Sequence, residues 1–252
     1  MIVLVTGAAG GVGRLLVPEL RGEHELVLTD RAHAPGVVPG DLADPDFLRG
    51  VVAGADAIVH LAGDPNPSRG WDRLRVPNAD MVAHVLDAAV AAGVGRVVLA
   101  SSVHASAGYV DAGRTPVRED WPAWPCCPYG AAKVFAESLG RAYAYQWGLS
   151  VVCLRLGGVR ERPAARSWLP GWLSPGDLGR LVRAALRANV DYGVYHGISA
   201  NTGALWDRSL AGAELSYRPV DDSARYAGEV ADDLAAKPDP AARPRWGFAH
   251  LS

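Results

Sequence analysis

Residues 3–16 read VLVTGAAGGVGRLL, and no other stretch constrains the fold as much. The first residues form a β-branched and leucine run that reads as a buried strand. It breaks at Gly7 into a turn holding Gly10, Gly11, Val12 and Gly13, with Gly7, Gly10 and Gly13 in a GxxGxxG spacing. A helical stretch follows. Strand, glycine turn and helix in that order open a βαβ unit, which demands a parallel sheet. Glycines let the turn close tightly and let backbone N–H groups approach a pyrophosphate. The positive end of the helix then meets negative charge favourably.

The alternation continues along the chain. Residues 25–29, 57–60, 97–101, 150–155 and 193–198 read as strands after the first at 2–5. Residues 13–20, 44–52, 78–92, 129–147 and 177–188 read as helices. In the 78–92 helix, Met81, Val82, Val85, Leu86 and Ala89 fall on one stripe. The fold class is α/β, a doubly wound parallel sheet of the Rossmann type. All 252 residues fit a single domain, with a loosely held Ala/Pro/Arg-rich tail from about residue 232.

The net charge is -2 with 21% charged residues, which offers nothing to a polyanion, so a nucleic-acid partner is not expected. The opening apolar run has no basic segment before it, and no stretch reaches the ~20 apolar residues of a membrane span. Three cysteines, two of them adjacent, form neither a disulfide framework nor a CxxC metal pattern. The expectation is a soluble, cytoplasmic protein without a metal.

Several positions carry chemistry. Asp30 ends the second strand, seventeen residues after Gly13. A carboxylate there suits the adenosine-ribose hydroxyls and repels a 2′-phosphate, favouring NAD over NADP. Arg31 beside it works in the opposite sense. Asp41, in GDLAD, reads either as an acceptor for the adenine amino group or as a turn aspartate. Tyr129 and Lys133 stand four apart and share one helix face. Taken alone that pair reads equally as an acid/base centre or as helix wall. Pro128 suits the first helical position before it.

With TGAAGGVG at 6–13, HLAG at 60–63, SS at 101–102 and YGAAK at 129–133 in this order, the chain resembles the extended short-chain dehydrogenases/reductases, the NAD-dependent epimerase/dehydratase family. ASSVHASAGY, YGAAKVFAESLGRAY, RSWLPGWLSPGDL and SANTGALWD look like the corresponding segments of its uronate dehydrogenases, which oxidise C1 of a hexuronic acid to a lactone. The resemblance implies a small C-terminal substrate-binding portion, with its elements mainly in 156–215. It implies an NAD site made by Gly7, Gly10, Gly11, Val12, Gly13, Asp30, Arg31, Asp41, Leu42, Leu61, Ala62, Gly63, Tyr129 and Lys133. It implies Tyr129 as proton-transfer group, Lys133 as its supporting ammonium and Ser102 as holder of the substrate oxygen, with Ser101 the alternative. A phenol at its ordinary ~10 lies about 3 pH units above neutrality, or roughly 4 kcal/mol, which nearby positive charge should offset.

Substrate contacts are implied for Pro65, Ser102, Val103, His104, Tyr129, Gly158 and Arg166, the arginine suiting a sugar carboxylate. Three of these depart from the uronate pattern: Pro65 and Gly158 stand where serines are expected, and Val103 where an asparagine is. Trp168, Trp172 and Trp206 read as pocket walls or as core. Cys126 and Cys127 read as pocket lining, redox-sensitive thiols or loop packing. A homodimer is implied through the 78–92 and 129–147 helices, with Phe135, Leu139 and Tyr143 as the stripe on the second. Sugar epimerases, natural-product ketoreductases and a non-catalytic dinucleotide sensor are the competing readings.

Overall fold

The computed structural model describes residues 1–231 of the 252. The tail anticipated from about residue 232 lies outside the described residues. In chain order the elements are β1 (Ile2–Thr6), α1 (Gly11–Leu20), β2 (Glu25–Asp30), β3 (Val38–Pro39), α2 (Pro45–Val52) and β4 (Ala57–His60). Then come α3 (Trp71–Arg75), α4 (Met81–Ala92), β5 (Arg96–Ser102), α5 (Gly108–Asp111), α6 (Pro128–Trp147) and β6 (Ser150–Leu156). The last are β7 (Gly158–Val159), β8 (Trp172–Leu173), α7 (Pro175–Arg187), β9 (Tyr192–Gly197) and α8 (Ser209–Glu214).

Seven strands form one parallel sheet in the order β3-β2-β1-β4-β5-β6-β9. The chain reverses its winding direction between β1 and β4, and a ligand crevice belongs at the carboxyl ends there. Strand periodicity divides the core. Val3 and Val5 of β1, Val98 of β5 and Val152 and Leu154 of β6 pack on the α1/α7 side. Leu4, Val97, Leu99, Val151 and Cys153 face the other way, onto α2, α4 and α6. Period-2 alternation with both faces apolar is what a fully covered sheet requires.

The helices start and stop on local signals. Asp44 caps α2, accepting from the backbone N–H of Asp46 and Phe47 at 2.9 and 3.3 Å, and Ser174 caps α7 through Asp177 N at 2.9 Å. Pro45, Pro128 and Pro175 occupy first helical positions. Gly93 and Gly148, in left-handed conformations, end α4 and α6.

The largest boundary difference from the sequence reading lies before the fourth helix. The helix expected to start at residue 78 is already wound from Trp71, and Val76–Asp80 forms a π-helical turn between α3 and α4. Pro77 lies in this wide turn; it has no N–H for the ordinary ladder, and its ring crowds the preceding turn. A further small apolar cluster, including Val103, Tyr109, Val117, Ile198 and Trp206, sits beyond the strand ends. Among the described residues no helix is long and apolar enough to cross a membrane.

Candidate active site

A cleft of about 1090 Å³ runs along the carboxyl ends of the strands. Gly7, Gly10, Gly11, Val12 and Gly13 line one end, with Asp30, Arg31 and Leu42; Leu61, Ala62 and Gly63 continue from the end of β4. Pro65, Ser102, Val103, His104, Tyr129, Lys133 and Gly158 line the other end. Two anticipated residues are not on its wall. Asp41 is exposed, and its Oδ1 accepts from Ala43 N at 2.9 Å, holding the turn into α2. Arg166 opens the 3₁₀ turn Arg166–Gly171 and is exposed, while Arg160 and Arg162 from the same segment line the cleft instead.

The glycine loop has the shape a dinucleotide needs. Gly7 has φ +70°, and a Cβ there would lie 2.6 Å from Ala62 N. A Cβ on Gly13 would lie 2.3 Å from the Gly7 carbonyl oxygen. Only glycine allows both the left-handed turn and the close approach of backbone to backbone. No side chain caps α1, so its positive end is left for a ligand anion. The Asp30 carboxylate is fixed by Ala9 N at 3.0 Å and Ala32 N at 2.9 Å while still lining the cleft. These features fit a nicotinamide dinucleotide with its phosphates on the loop and a ribose at Asp30.

At the reacting end, Ser102 closes β5, and its Oγ accepts from His104 N at 3.2 Å. The neighbouring Ser101 hydroxyl donates to Glu137, which commits it elsewhere. Tyr129 and Lys133 are both buried on the first turns of α6, with Lys133 Nζ 5.6 Å from the Tyr129 ring centroid. Electrostatics here differ from the simple expectation. Burial pushes the Tyr129 phenol above its ordinary value, and hydrogen bonding to Ser102 only partly opposes this. Burial also lowers Lys133 to about 8, with Glu137 working against it. In the protein alone, therefore, desolvation outweighs the hydrogen bond to Ser102, nearby Cys127 and Asp64 add to it, and Tyr129 stays a neutral phenol.

The three departures from the uronate pattern have distinct settings. Val103 is buried and belongs to the apolar cluster beyond the strands. A Cβ on Gly158 would lie 2.8 Å from Trp168 Cε3, so the indole occupies the place of a side chain there. Pro65 lies on the wall beside Asp64. Of the three tryptophans, only Trp168 lines the cleft; Trp172 and Trp206 are fully buried core. Arg160 stacks on Trp168 at 4.7 Å, and Arg162 pairs with Glu229 at 3.2 Å.

Cys126 and Cys127 do not line the cleft but lie behind His104. The Cys126 thiol donates to Cys127, which favours thiolate at Cys127 and thiol at Cys126. Tyr143 is also not where the dimer stripe would want it. It is buried, and its hydroxyl bonds Asp87 of α4 within the same chain.

Asn78 escaped the sequence reading. It is buried on the cleft wall, in the π-helical turn. Its Nδ2 donates to the carbonyls of Asp64 and Leu74 at 3.1 and 3.2 Å, and its Oδ1 has no protein partner. The signal for it was a Pro-Asn step directly before an apolar helical stripe. A buried Arg155–Glu137 pair at 2.8 Å, one turn beyond Lys133, also went unread.

A sequence model described as the NAD dependent epimerase/dehydratase family matches residues 3–159. An NAD-dependent glucose-6-phosphate dehydrogenase of Haloferax volcanii is 33% identical over 92% of this chain and 98% of its own length. A uronate dehydrogenase of Pseudomonas syringae pv. tomato is 35% identical over 95% of this chain and 89% of its own. A crystal structure of a uronate dehydrogenase variant from Agrobacterium tumefaciens, complexed with NAD, superposes with TM-score 0.82 at 31% identity, covering 95% of this chain and 92% of that one.

Proposed function

The chain belongs to the NAD-dependent epimerase/dehydratase family, and from that premise we propose that it is an NAD-dependent dehydrogenase oxidising the hemiacetal carbon of a small sugar, a uronic acid to its lactone being the specific reaction. The observation that carries this reading is the junction of a glycine-loop cradle with Ser102, Tyr129 and Lys133 in one cleft. The relatives' printed activities on glucose 6-phosphate and uronate support a sugar-type substrate. Arg160, stacked on Trp168 at the wall, supports one carrying negative charge, whereas Arg162 is paired with Glu229 and Glu161 lines the wall beside them.

When bound, NAD supplies the hydride acceptor and a positive charge. Asp30 holds the adenosine ribose and disfavours a 2′-phosphate, which supports NAD over NADP. Ser102 would hold the reacting hydroxyl, and Tyr129, once its own phenol proton has left to solvent, would receive the hydroxyl proton as the phenolate. Lys133 supports the phenolate; at about 8 it is still mostly charged near neutrality, with Glu137 nearby favouring the ammonium against burial. With burial raising Tyr129, the protein alone does not preform the base. Ionisation of Tyr129 is therefore tied to the loaded cleft, where the positive nicotinamide ring would favour the phenolate.

The walls formed by Val103, Gly158 and Trp168 favour a sugar with fewer read hydroxyls at that end, since a site discriminates strongly through buried polar partners. Exposed Phe135 and half-buried Leu139 on α6 support a homodimer through that helix, and the free thiols Cys126, Cys127 and Cys153 support a reducing, cytoplasmic setting.

The test is NADH absorbance with glucuronate, galacturonate, glucose 6-phosphate, neutral sugars and simple alcohols. Reduction of added NAD by a uronate is expected. Activity on other alcohols with none on either uronate removes the uronate reading. Dinucleotide that stays bound through purification, with no net reduction of added NAD by any of them, points to an epimerase and removes the dehydrogenase.

A further inference from the structure

The adjacent thiols Cys126 and Cys127 are the one sequence feature that this chemistry leaves unused. Their spacing contains no metal pattern, and the expectation from sequence was no metal. Folding changes the situation by bringing His104, from the turn after β5, against both. His104 Nδ1 lies 3.0 Å from Cys126 Sγ and 3.5 Å from Cys127 Sγ, and the two sulfurs are 3.5 Å apart. The three donor atoms form a closed triangle. Beyond one another, the contact they make is the Gly130 N–H, which donates to Cys127 Sγ at 3.4 Å. Among the described residues this is the one group of three His, Cys, Asp or Glu ligand atoms drawn so close together.

We infer that His104, Cys126 and Cys127 form a three-donor site for a soft divalent cation of the zinc type, with the fourth position open to water. A tetrahedral zinc ion sits ~2.3 Å from sulfur and ~2.0–2.1 Å from imidazole nitrogen, which spaces such donors roughly 3.5–3.8 Å apart. The triangle needs to open by about half an ångström at most to reach this. Two thiolates and one imidazole are a soft set that selects zinc-like ions over magnesium or calcium. Cys127 is also the N-cap of the 20-residue α6, whose positive end favours an anionic sulfur. The Gly130 N–H supplies the supporting hydrogen bond that metal thiolates receive from their surroundings. Both cysteines are half-buried, so an ion has access from solvent.

A disulfide fits less well. Neighbouring Cα atoms are ~3.8 Å apart across a trans peptide, short of the ~4.4–6.8 Å that disulfides usually span.

Occupancy would have two consequences. The ion would clasp the turn after Ser102 to the start of the helix carrying Tyr129 and Lys133. It would also take the Nδ1 lone pair of His104, leaving the proton on Nε2, so the ring would offer the cleft a donor and never an acceptor.

The test does not depend on any sugar being oxidised. Reduced, chelator-stripped protein is titrated with Co²⁺ in the presence of a non-chelating phosphine. One equivalent should produce a near-ultraviolet thiolate-to-cobalt charge-transfer band with tetrahedral visible bands. One equivalent of Zn²⁺ should bleach them and shield two of the three thiols from a thiol reagent. Cys126→Ser and Cys127→Ser should each weaken cobalt binding beyond the roughly 10–100-fold that loss of a mere supporting contact costs. Serine keeps a capping oxygen at 127, so α6 retains its start. Cys153→Ala, which removes the remaining buried thiol, should leave the titration unchanged. No charge-transfer band in the wild-type protein overturns the inference, as does a band that survives in the Cys126→Ser/Cys127→Ser double variant. Loss of two reactive thiols in air, reversed by reductant and without any cobalt band, replaces the metal site with a disulfide.

Discussion

The proton-transfer role proposed for Tyr129 rests on one oxygen atom, so one atom is the test. Tyr129→Phe keeps the ring that meets His104 edge-on at 5.6 Å and deletes the hydroxyl. Turnover is expected to fall by about 10²–10⁴, the usual worth of a positioned acid/base group. NAD affinity, measured by fluorescence titration, should be unchanged within about twofold, since the cradle is made by the glycine loop and Asp30. Full turnover in the variant would remove Tyr129 from the chemistry. Gly158 gives a second residue-scale expectation. Because a Cβ there meets Trp168 at 2.8 Å, Gly158→Ser should not restore a hydroxyl contact in isolation. Overpacking should destabilise the fold by about 1–3 kcal/mol, read as a lower Tm. In a Trp168→Ala background, itself destabilised by loss of the buried indole, adding Gly158→Ser should cost little; the same added loss there as in the wild-type protein would show that the indole is not the obstacle. At this scale the sequence was legible where placement at the cleft follows local spacing: the glycine loop, Asp30 and the Tyr129/Lys133 pair. It was illegible where placement depends on a loop folding back, as with Arg160 and Arg162, which line the cleft while Arg166 does not. The electrostatic direction at Tyr129 was missed as well, because burial is a property of the whole surround and not of neighbours in sequence.

Elements meet the site through α6 and β6, and the buried Arg155–Glu137 pair is their polar joint. Both side chains are about 5% exposed, and Glu137 also accepts from Ser101 of β5. A buried ion pair contributes little net stability, but breaking it strands a charge. Arg155→Met should therefore cost about 3–5 kcal/mol in urea denaturation, whereas replacing both partners by apolar residues of similar volume should recover most of that. Comparable losses in the single and double variants would mean that packing, not charge, explains the site. The strands and most helices were legible because their signals are local: period-2 runs, Pro at the first helical turn and Gly past the last. Residues 71–80 were not. The apolar stripe of α4 starts at Met81, and Pro77 reads as a breaker, yet the chain keeps winding through a wider turn. That turn puts Asn78 on the cleft wall with its Oδ1 unpartnered, a placement no periodicity encodes. Wide turns of this kind frequently occur at functional sites.

For the whole molecule, buried titratable groups set how stability follows pH. His60, at the end of β4, and His196, in β9, are both lowered to about 3, first by burial and then by Lys133 and Arg155 respectively. His60 Nδ1 pairs with Thr6 Oγ1 at 2.8 Å, and His196 Nδ1 with the Asp207 carbonyl at 2.9 Å, so both rings are held neutral inside. The unfolded chain takes up these protons near the ordinary 6.5, while the folded chain refuses them until about 3. Their contribution is thus present above about pH 6.5 and lost as the pH falls. Glu119 acts in the opposite sense. Burial raises it to about 7, against hydrogen bonds from the N–H groups of His196, Leu210 and Ala211. The folded state keeps that proton longer, so its contribution is present at low pH and lost as the pH rises from the ordinary 4.5 to about 7. Between those ordinary values the two histidines oppose one carboxyl. A net one-proton difference gives a slope of about 1.4 kcal/mol per pH unit, rising with pH. Between about 6.5 and 7 Glu119 alone of these three acts, and Cys127, held toward thiolate in the fold, opposes it there and adds to the rise with pH below. Stability from urea denaturation should accordingly climb by at least roughly 2 kcal/mol from pH 5 to 6.5 and level off above. His60→Asn should flatten the acid limb, and Glu119→Gln should steepen it. A flat profile between pH 5 and 6.5 in the wild-type protein would mean that these histidines take up their protons in the folded state after all, and that the buried ends of β4 and β9 admit water.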